Sequence, residues 1–201
     1  MEFHPINPNT RDLKWVADKI NNGAVVIFPT DTLYAMGCLM THKSGIEKIC
    51  RILNKKEKHS KMSLICPDIR EVSRYTQQID NRVFRAMKRY LPGPYTFILK
   101  SNNYVQKYFK NHREEIGIRI PDNIVLQSLL SLLDAPLIST SLNTDGEKEM
   151  YYNDPDIIME KFGHNADILI DAGLGSLEES TVIDCTGSDM TLIRQGKGPV
   201  D

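Results

Sequence analysis

The sequence alternates amphipathic helical segments with short apolar runs, and this alternation limits the possible folds more than any other feature. Apolar residues recur at three- and four-residue spacing in the helical segments, whereas β-branched and aromatic residues are common in the runs between them. Helices are predicted to begin at Thr10, at a capping box formed by Ser44 and Glu47, at Asp80, at 123 and at Asp154. Strands are predicted over 24–28, 62–66, 95–100, 116–120, 137–140, 166–171, 181–185 and 191–194. Such alternation is typical of α/β proteins.

The last two predicted strands are separated only by residues 186–190, which favours an antiparallel hairpin. Helices lie between several of the other strands, and parallel neighbours need crossovers of that kind. A mixed sheet is therefore expected. With 201 residues, 41% apolar content and no Pro/Gly/Ser-rich break, the chain is predicted to form a single α/β domain over 1–201.

Polar side chains follow the predicted strand 24–28 without a spacer. The segment 28–37 reads FPTDTLYAMG, and its proline cannot extend a hydrogen-bonded ladder. Side-chain oxygens come from Thr30, Asp31, Thr32 and Tyr34. Grouped at a strand end, they favour a binding site; the alternative is an ordinary strand-to-loop transition.

The net charge of −1 conceals two parts of opposite sign. Residues 1–121 carry 21 basic and 11 acidic side chains, whereas residues 122–201 carry four basic and 15 acidic ones. Lys55, Lys56, Lys58 and Lys61 form the densest basic cluster. This asymmetry indicates a basic face that could bind phosphate or RNA. The alternative is a solvated loop, because no aromatic residue lies among 55–61 to stack on bases.

Several common types of site are not indicated by the sequence. The four cysteines form no CxxC pair and no cluster with the five histidines, so reduced thiols and no metal site are expected. The first residues lack a signal pattern and no apolar run approaches about 20 residues, which predicts a cytoplasmic chain with no membrane role. P-loop, GxSxG and HExxH motifs are also missing.

Seven segments occur in an order that resembles the YrdC/YciO family: PTDTLYAMG, a Lys-rich loop before MSLIC, PGPYTFIL, IGIRIP, STSLN, ESTVIDC and LIRQG. Each segment alone is weakly specific, but together they span nearly the whole chain. The resemblance implies a single-domain, twisted open α/β fold with helices on the faces of a mixed sheet. It also implies a concave, basic surface, in agreement with the charge asymmetry.

The resemblance further implies an activity. Synthases of this family join L-threonine, bicarbonate and ATP into threonylcarbamoyl-AMP and release pyrophosphate, and the product serves threonylcarbamoyl modification of tRNA. The reaction is a nucleotidyl transfer in which a carbamate oxygen attacks the α-phosphate, so fixed cations and Mg²⁺ must neutralise the charge on the phosphates. A single-domain chain would need a separate tRNA threonylcarbamoyl transferase as its partner.

Three residues match the family's threonine site. Thr32 resembles a hydroxyl contact, Arg119 in IGIRIP resembles the cation that pairs with the substrate carboxylate, and Ser180 lies near the same substrate. The alternative for Arg119 is a structural ion pair at a strand end. For Ser180, the alternative is a hydroxyl that satisfies the backbone where a strand begins.

The nucleotide site of the family is a KxR loop followed by SxN after a later strand. Lys55, Ser141 and Asn143 match three of these four positions as catalytic and nucleotide-binding residues, and Arg194 in LIRQG resembles a further phosphate contact. The fourth position is Glu57, where the synthases carry arginine. An anion at that position would repel a triphosphate.

Other departures support a second hypothesis. Met62 and Asn123 replace the proline and histidine common in the family, and the segments EKICRI, PGPYTFILK and STSL resemble the YciO branch more than the YrdC branch. The second hypothesis is a protein that binds tRNA, double-stranded RNA or the ribosome with little synthase activity. Lys55, Lys56, Lys58 and Lys61 would then be its RNA contacts.

Overall fold

Nine strands form one sheet in the computed structural model, which describes residues 1–56, 62–109, 113–142 and 152–200. The strands are β1 (Val26–Phe28), β2 (Ala35–Leu39), β3 (Ser63–Ile65), β4 (Tyr95–Lys100), β5 (Glu115–Arg119), β6 (Leu137–Ser141), β7 (Ile168–Leu169), β8 (Thr181–Asp184) and β9 (Thr191–Arg194). Their order is β7-β1-β2-β6-β3-β5-β4-β8-β9. Three neighbouring pairs are parallel and five are antiparallel, which confirms the predicted mixed sheet.

Each predicted strand is present, often with shorter bounds, and the predicted hairpin is the antiparallel pair β8–β9. Strand β2 was not predicted. Its sequence, AMGCL, contains no β-branched residue and every position is buried, so it lacks both the composition and the alternation that identify a strand.

Helices cover the sheet on both faces. They are α1 (Thr10–Asn21), α2 (Lys43–Ile52), α3 (Ile69–Val72), α4 (Asn81–Tyr90), α5 (Asn103–Gln106), α6 (Ile124–Leu130) and α7 (Pro155–Phe162). None of these described helices is long and apolar enough to cross a bilayer.

Two predicted helix starts were wrong in detail. Asn9, rather than Thr10, is the N-cap of α1 and accepts a hydrogen bond from the Arg11 N–H. The capping box at Ser44 and Glu47 is not formed, because α2 already begins at Lys43. Asp80 caps α4 and Asp154 caps α7, as predicted.

Alternate residues of the central strands enter two separate hydrophobic clusters. Val26 and Phe28 pack with α1 and α6, on what we call the α1/α6 face, whereas Ile27 packs on the opposite face with α2 and α7. The predicted apolar faces of α1 and α2 are buried in these clusters. All four cysteines are free thiols.

Part of the α1/α6 face carries small and polar residues instead of large apolar ones. Gly37, Ser139, Ser63 and Gly117 lie directly opposite one another across β2, β6, β3 and β5. The strands approach closely here, since a Cβ atom at Gly117 would collide with Ser63 Oγ. Arg119 is two residues beyond Gly117 and therefore projects from the same face.

Candidate functional site

The loop between β1 and β2, residues 29–34, is organised by a chain of hydrogen bonds. Thr30 Oγ1 donates to the Leu33 carbonyl at 2.7 Å and accepts the Thr32 N–H at 3.0 Å. The two threonine hydroxyl oxygens are 3.0 Å apart. Because the single Thr30 proton is committed to Leu33, the Thr32 hydroxyl is the donor in that contact.

Arg119 joins this loop from the end of β5. Its Nη2 donates to Thr32 Oγ1 at 2.9 Å and to Asp31 Oδ1 at 2.7 Å. The second Asp31 oxygen accepts the Asp122 N–H at 3.0 Å. Thr32 Oγ1 therefore donates to Thr30 and accepts from Arg119, which leaves one of its lone pairs for a further donor.

The Arg119 guanidinium is held in a dry environment. Its side chain is 11% exposed, and burial lowers its pKa, with the positive charge of Arg194 acting in the same direction and the Asp31 carboxylate opposing both. Arginine nonetheless stays charged. Its Nε is buried without a hydrogen-bond partner in the described part of the chain. A buried donor of this kind is unusual outside strained or functional sites.

Ser180 and Arg194 lie at the adjoining β4–β8–β9 edge. Ser180 Oγ is 2.8 Å from Thr96 Oγ1, and the Ser180 carbonyl accepts from Arg194 Nε at 3.1 Å and from its Nη2 at 2.9 Å. Arg194 Nη1 forms an ion pair with Glu179 at 2.6 Å. The side chain of Arg194 is 39% exposed, so part of its guanidinium still faces solvent.

The segment 195–200 connects this edge to the β1–β2 loop. Lys197 N–H bonds to the Glu179 carbonyl, while its Nζ donates to the Asp31 carbonyl at 2.7 Å. Gly196 lies so close to Glu179 and Ser180 that a Cβ atom there would collide with their backbone. The loop, Arg119 and the C-terminal segment thus form one connected site.

The predicted threonine-site residues are therefore brought together. Arg119 contacts Thr32 directly, and Ser180 reaches the same face through Thr96. The ion pair considered as the alternative for Arg119 is also present, with Asp31 as its partner. Ser180 does not satisfy the backbone with its hydroxyl, which bonds to Thr96 and lies 3.4 Å from Arg194 Nη2.

The predicted nucleotide-site residues are only partly described. Ser141 ends β6 opposite Ala35 and is half-buried, on the same face as Ser139. Lys55 follows α2, where its N–H bonds to the Cys50 carbonyl, and Lys56 is the next residue. Asn143, Lys58, Lys61 and Glu57 lie outside the described residues. The roles of all these residues stay predictions.

Three contributors to the site were missed at the sequence level. In the sequence, Asp31 was only one of four residues that supply side-chain oxygens to the segment 28–37. Its ion pair with Arg119 could not be predicted, because the two residues are 88 positions apart. Thr96 lies within the PGPYTFIL segment and Lys197 directly follows LIRQG, but nothing in the sequence assigned a role to either side chain. Within 1–56, 62–109, 113–142 and 152–200, no cluster of three or more His, Cys, Asp or Glu could hold a metal ion.

The arrangement suits the recognition of a small zwitterion. A guanidinium binds a carboxylate through charge-assisted hydrogen bonds, and the adjacent Thr32 oxygen can accept from an ammonium or hydroxyl group. Thr32 is 1% exposed, and Asp31 already occupies Arg119. Asp31 and Thr32 both bond to Nη2, so among the described residues a ligand carboxylate can reach the guanidinium either by displacing Asp31 or through another of its nitrogens.

Fold and site together define a mixed-sheet α/β protein with a buried arginine, ion-paired to Asp31, on one sheet face. The family model Sua5_yciO_yrdC, described as Telomere recombination, matches residues 18–196. Uncharacterized protein YciO from Escherichia coli K12 is 37% identical over 199 residues, which cover 98% of this chain and 95% of that protein.

Two solved structures extend the comparison. The crystal structure of E. coli YciO superposes with a TM-score of 0.90 at 36% identity and covers 99% of this chain and 96% of that one. P. abyssi Sua5 complexed with L-threonine gives a TM-score of 0.88 at 22% identity, covering 98% of this chain and 57% of that one. The second likeness is one of fold. The chain belongs to the Sua5/YciO/YrdC family, which confirms the resemblance seen in the sequence.

Proposed function

We propose that the chain is an L-threonylcarbamoyladenylate synthase, a nucleotidyltransferase that uses L-threonine, bicarbonate and ATP. The observation that carries this proposal is the buried Arg119 guanidinium, which bonds to the Asp31 carboxylate and to the Thr32 hydroxyl. L-threonine offers a carboxylate for Arg119 and either an ammonium or a hydroxyl group for the remaining lone pair of Thr32 Oγ1. Sua5 from P. abyssi, which shares the fold, has been solved with L-threonine bound.

Binding in this proposal is an exchange of carboxylates. The threonine carboxylate replaces Asp31 on Arg119, and the Asp31 side chain moves toward solvent with the 29–34 loop. The exchange leaves the buried charge of Arg119 paired throughout, which avoids the cost of an isolated ion in a dry environment. Ser180 then borders the bound amino acid beside Thr96.

In the proposed chemistry the threonine amine, after losing its proton, forms an N–C bond with bicarbonate, and water leaves to give a carbamate. A carbamate oxygen then attacks the α-phosphate of ATP. Lys55 and Arg194 supply positive charge to the phosphates, and Ser141 and Asn143 supply neutral hydrogen bonds. Magnesium enters with ATP, because Mg²⁺ is commonly held by phosphate oxygens, water and one or two carboxylates. Pyrophosphate leaves, and threonylcarbamoyl-AMP passes to a separate tRNA threonylcarbamoyl transferase in the cytoplasm.

The test is pyrophosphate release from ATP with L-threonine and bicarbonate, omitting each substrate in turn. We expect release that depends on both co-substrates and that is lost in Arg119→Gln and Lys55→Ala. Arg82→Gln is the matched control, since Arg82 also donates through Nη2, to the Ser188 carbonyl, but is 63% exposed. Equal loss in the control, or release without L-threonine, would contradict the proposal.

A second candidate function is favoured by Glu57, which replaces the synthase arginine. In this second candidate function, the protein binds tRNA, double-stranded RNA or the ribosome and has little synthase activity. Its RNA contacts are Lys55, Lys56, Lys58 and Lys61. The same assay separates the two. If wild type releases no pyrophosphate but Glu57→Arg does, the protein has the fold of a synthase but a different function.

A further inference from the structure

A group of tyrosines lies at the opposite end of the β4–β5 pair from Arg119. Lys100 at the end of β4 pairs with Glu115 at the start of β5, and α5 lies in the connection between them. Arg119 is four residues further along β5, or about 13 Å at the rise of an extended strand. This surface is therefore separate from the site described above.

The rings and one lysine contact one another closely. The Tyr104 ring centroid is 6.2 Å from that of Tyr75 and 5.6 Å from that of Tyr108, the latter edge-on. Lys107 Nζ lies 4.3 Å from the Tyr104 centroid and 4.9 Å from that of Tyr108. We call Tyr75, Tyr104, Lys107 and Tyr108 the tyrosine surface. A hydrogen bond between the side chains of Tyr104 and Tyr108 raises the pKa of Tyr104.

Tyr104 is held in position although it is 42% exposed. Asn102 caps α5 by accepting the N–H groups of Tyr104 and Val105, and its own amide donates to the Arg74 carbonyl at 2.8 Å. Val105 and Phe109 anchor the segment in the core. An aromatic ring that is fixed before binding loses little entropy when a ligand stacks on it.

Beside this ring is an open depression of about 460 Å³ lined by Gln77, Asn102, Asn103 and Tyr104. The Asn102 amide is used in capping α5, and Gln77 Nε2 donates to the Ser101 carbonyl at 3.2 Å. The Gln77 carbonyl oxygen and the Asn103 amide can bond to the edge of a nucleobase, and the aromatic ring offers a stacking surface. A sugar could use the same groups. Lys107 Nζ, which lies 4.3 Å from the Tyr104 centroid, favours instead a ligand that joins a flat base to an anionic group such as a phosphate.

Charges of both signs lie near the depression, since Glu71 pairs with Arg74 and Glu115 lies opposite Lys100 at the end of β4. Lys107 lies over the two tyrosine rings, and Arg113 lies 4.8 Å from the Phe109 ring. Arg74 forms a 3.1 Å ion pair with Glu71, yet its side chain is 70% exposed. Stacking platforms edged by cations are the usual means of binding single strands without base pairing.

We propose that the tyrosine surface binds single-stranded nucleic acid, with an unpaired base stacked on Tyr104, the amides of Gln77 and Asn103 at its edge and Lys107 on the adjacent phosphate. This site is distinct from the basic cluster at 55–61, and it does not depend on the synthase activity. Both RNA and DNA strands carry the required base and phosphate, so the experiment includes each.

The test is fluorescence anisotropy with labelled eight-nucleotide oligo-U RNA and oligo-dT DNA at low salt, without ATP or threonine. Tyr104→Ala should weaken binding by about tenfold, whereas Tyr104→Phe, which keeps the ring, should bind within about twofold of wild type. Lys107→Met should reduce the salt dependence by the contribution of one phosphate contact, about 0.7 in the slope of log K against log salt.

Trp15→Ala is the matched control, since Trp15 is 48% exposed on α1 with Lys19 Nζ 5.5 Å from its ring. Weaker binding to DNA than to RNA would support an RNA ligand, and equal binding would support a strand of either kind. The proposal is overturned if neither strand binds, if Tyr104→Ala binds as wild type does, or if Trp15→Ala loses as much affinity as Tyr104→Ala.

Discussion

Arg119 and Asp31 form a buried ion pair, with Nη2 and Oδ1 2.7 Å apart and side chains that are 11% and 8% exposed. The pair joins the end of β5 to the β1–β2 loop across 88 residues of sequence. The Asp122 N–H bonds to the second carboxylate oxygen at 3.0 Å, so the carboxylate is satisfied on both sides. The position of the candidate binding arginine is thus fixed by a carboxylate from the chain itself.

Loss of this carboxylate should destabilise the fold strongly. Asp31→Asn keeps the shape of the side chain but leaves Arg119 as an uncompensated buried charge, and we expect a loss of about 3 kcal/mol in the free energy of unfolding. Urea unfolding at pH 7 measures this loss.

Asp80→Asn is a suitable control for the Asp31 substitution. Asp80 also lies beside an arginine, Arg82 at 3.5 Å, but its side chain is 60% exposed, and asparagine is an equally good N-cap for α4. That variant should unfold at nearly the same urea concentration as wild type. Equal losses of unfolding free energy at the two positions would show that burial of the Arg119–Asp31 ion pair adds nothing to its contribution to stability.

The Thr30 hydroxyl should stabilise the β1–β2 loop, because it forms hydrogen bonds with three groups of that loop. Thr30→Val would leave the Leu33 carbonyl and the Thr32 N–H and hydroxyl without their partner, at a cost of about 1–3 kcal/mol in the free energy of unfolding. Thr30→Ser keeps the hydroxyl and should lose less than half as much. Thermal unfolding of both variants tests this, and similar melting temperatures for the two would contradict it.

Local features of the sequence predicted the fold better than the site. Helix periodicity and the short connection 186–190 depend on neighbouring residues, so the helices and the β8–β9 hairpin could be predicted. The capping box failed because the pattern at Ser44 also suits the interior of a helix that begins one residue earlier.

Site residues could be proposed only where a family motif marked them. Thr32, Arg119 and Ser180 stand in such motifs, and the fold brings them to one sheet face. The Arg119–Asp31 pair and the bond from Lys197 to the Asp31 carbonyl depend on strand order, which no local pattern encodes. A carboxylate in a loop and a lysine in a tail each have many possible partners until the sheet is known.

Gly117 should not tolerate a side chain. Its Cβ position collides with Ser63 Oγ and lies 3.1 Å from Thr96 Cγ2, so Gly117→Ala should destabilise the fold by about 1–3 kcal/mol through overpacking. Ser63→Ala in the same chain removes the colliding oxygen and should restore part of the loss. Urea unfolding of the single and double variants measures the coupling, and additive losses would contradict a direct contact between the two positions.

Tyr34 should make the stability of the protein depend on alkaline pH. Its hydroxyl donates to the Gly173 carbonyl at 2.8 Å, and burial raises the pKa of Tyr34 to about 12. The folded chain therefore holds this proton more tightly than the unfolded chain, whose tyrosine titrates near pH 10. The resulting stabilisation is complete below about pH 10 and is lost as the pH rises toward about 12.

Tyr34→Phe removes both the hydrogen bond and the titration. At pH 8 the variant should be less stable than wild type by about 1–2 kcal/mol, because the Gly173 carbonyl loses its donor. Between pH 10 and 12 the difference should shrink by about 2 kcal/mol or reverse, since only wild type is destabilised by ionisation of this phenol. Urea unfolding of both proteins at several pH values, with reductant present, gives the difference directly. A difference that stays constant from pH 8 to 11.5 would mean that the Tyr34 phenol ionises as readily in the folded chain as in the unfolded one.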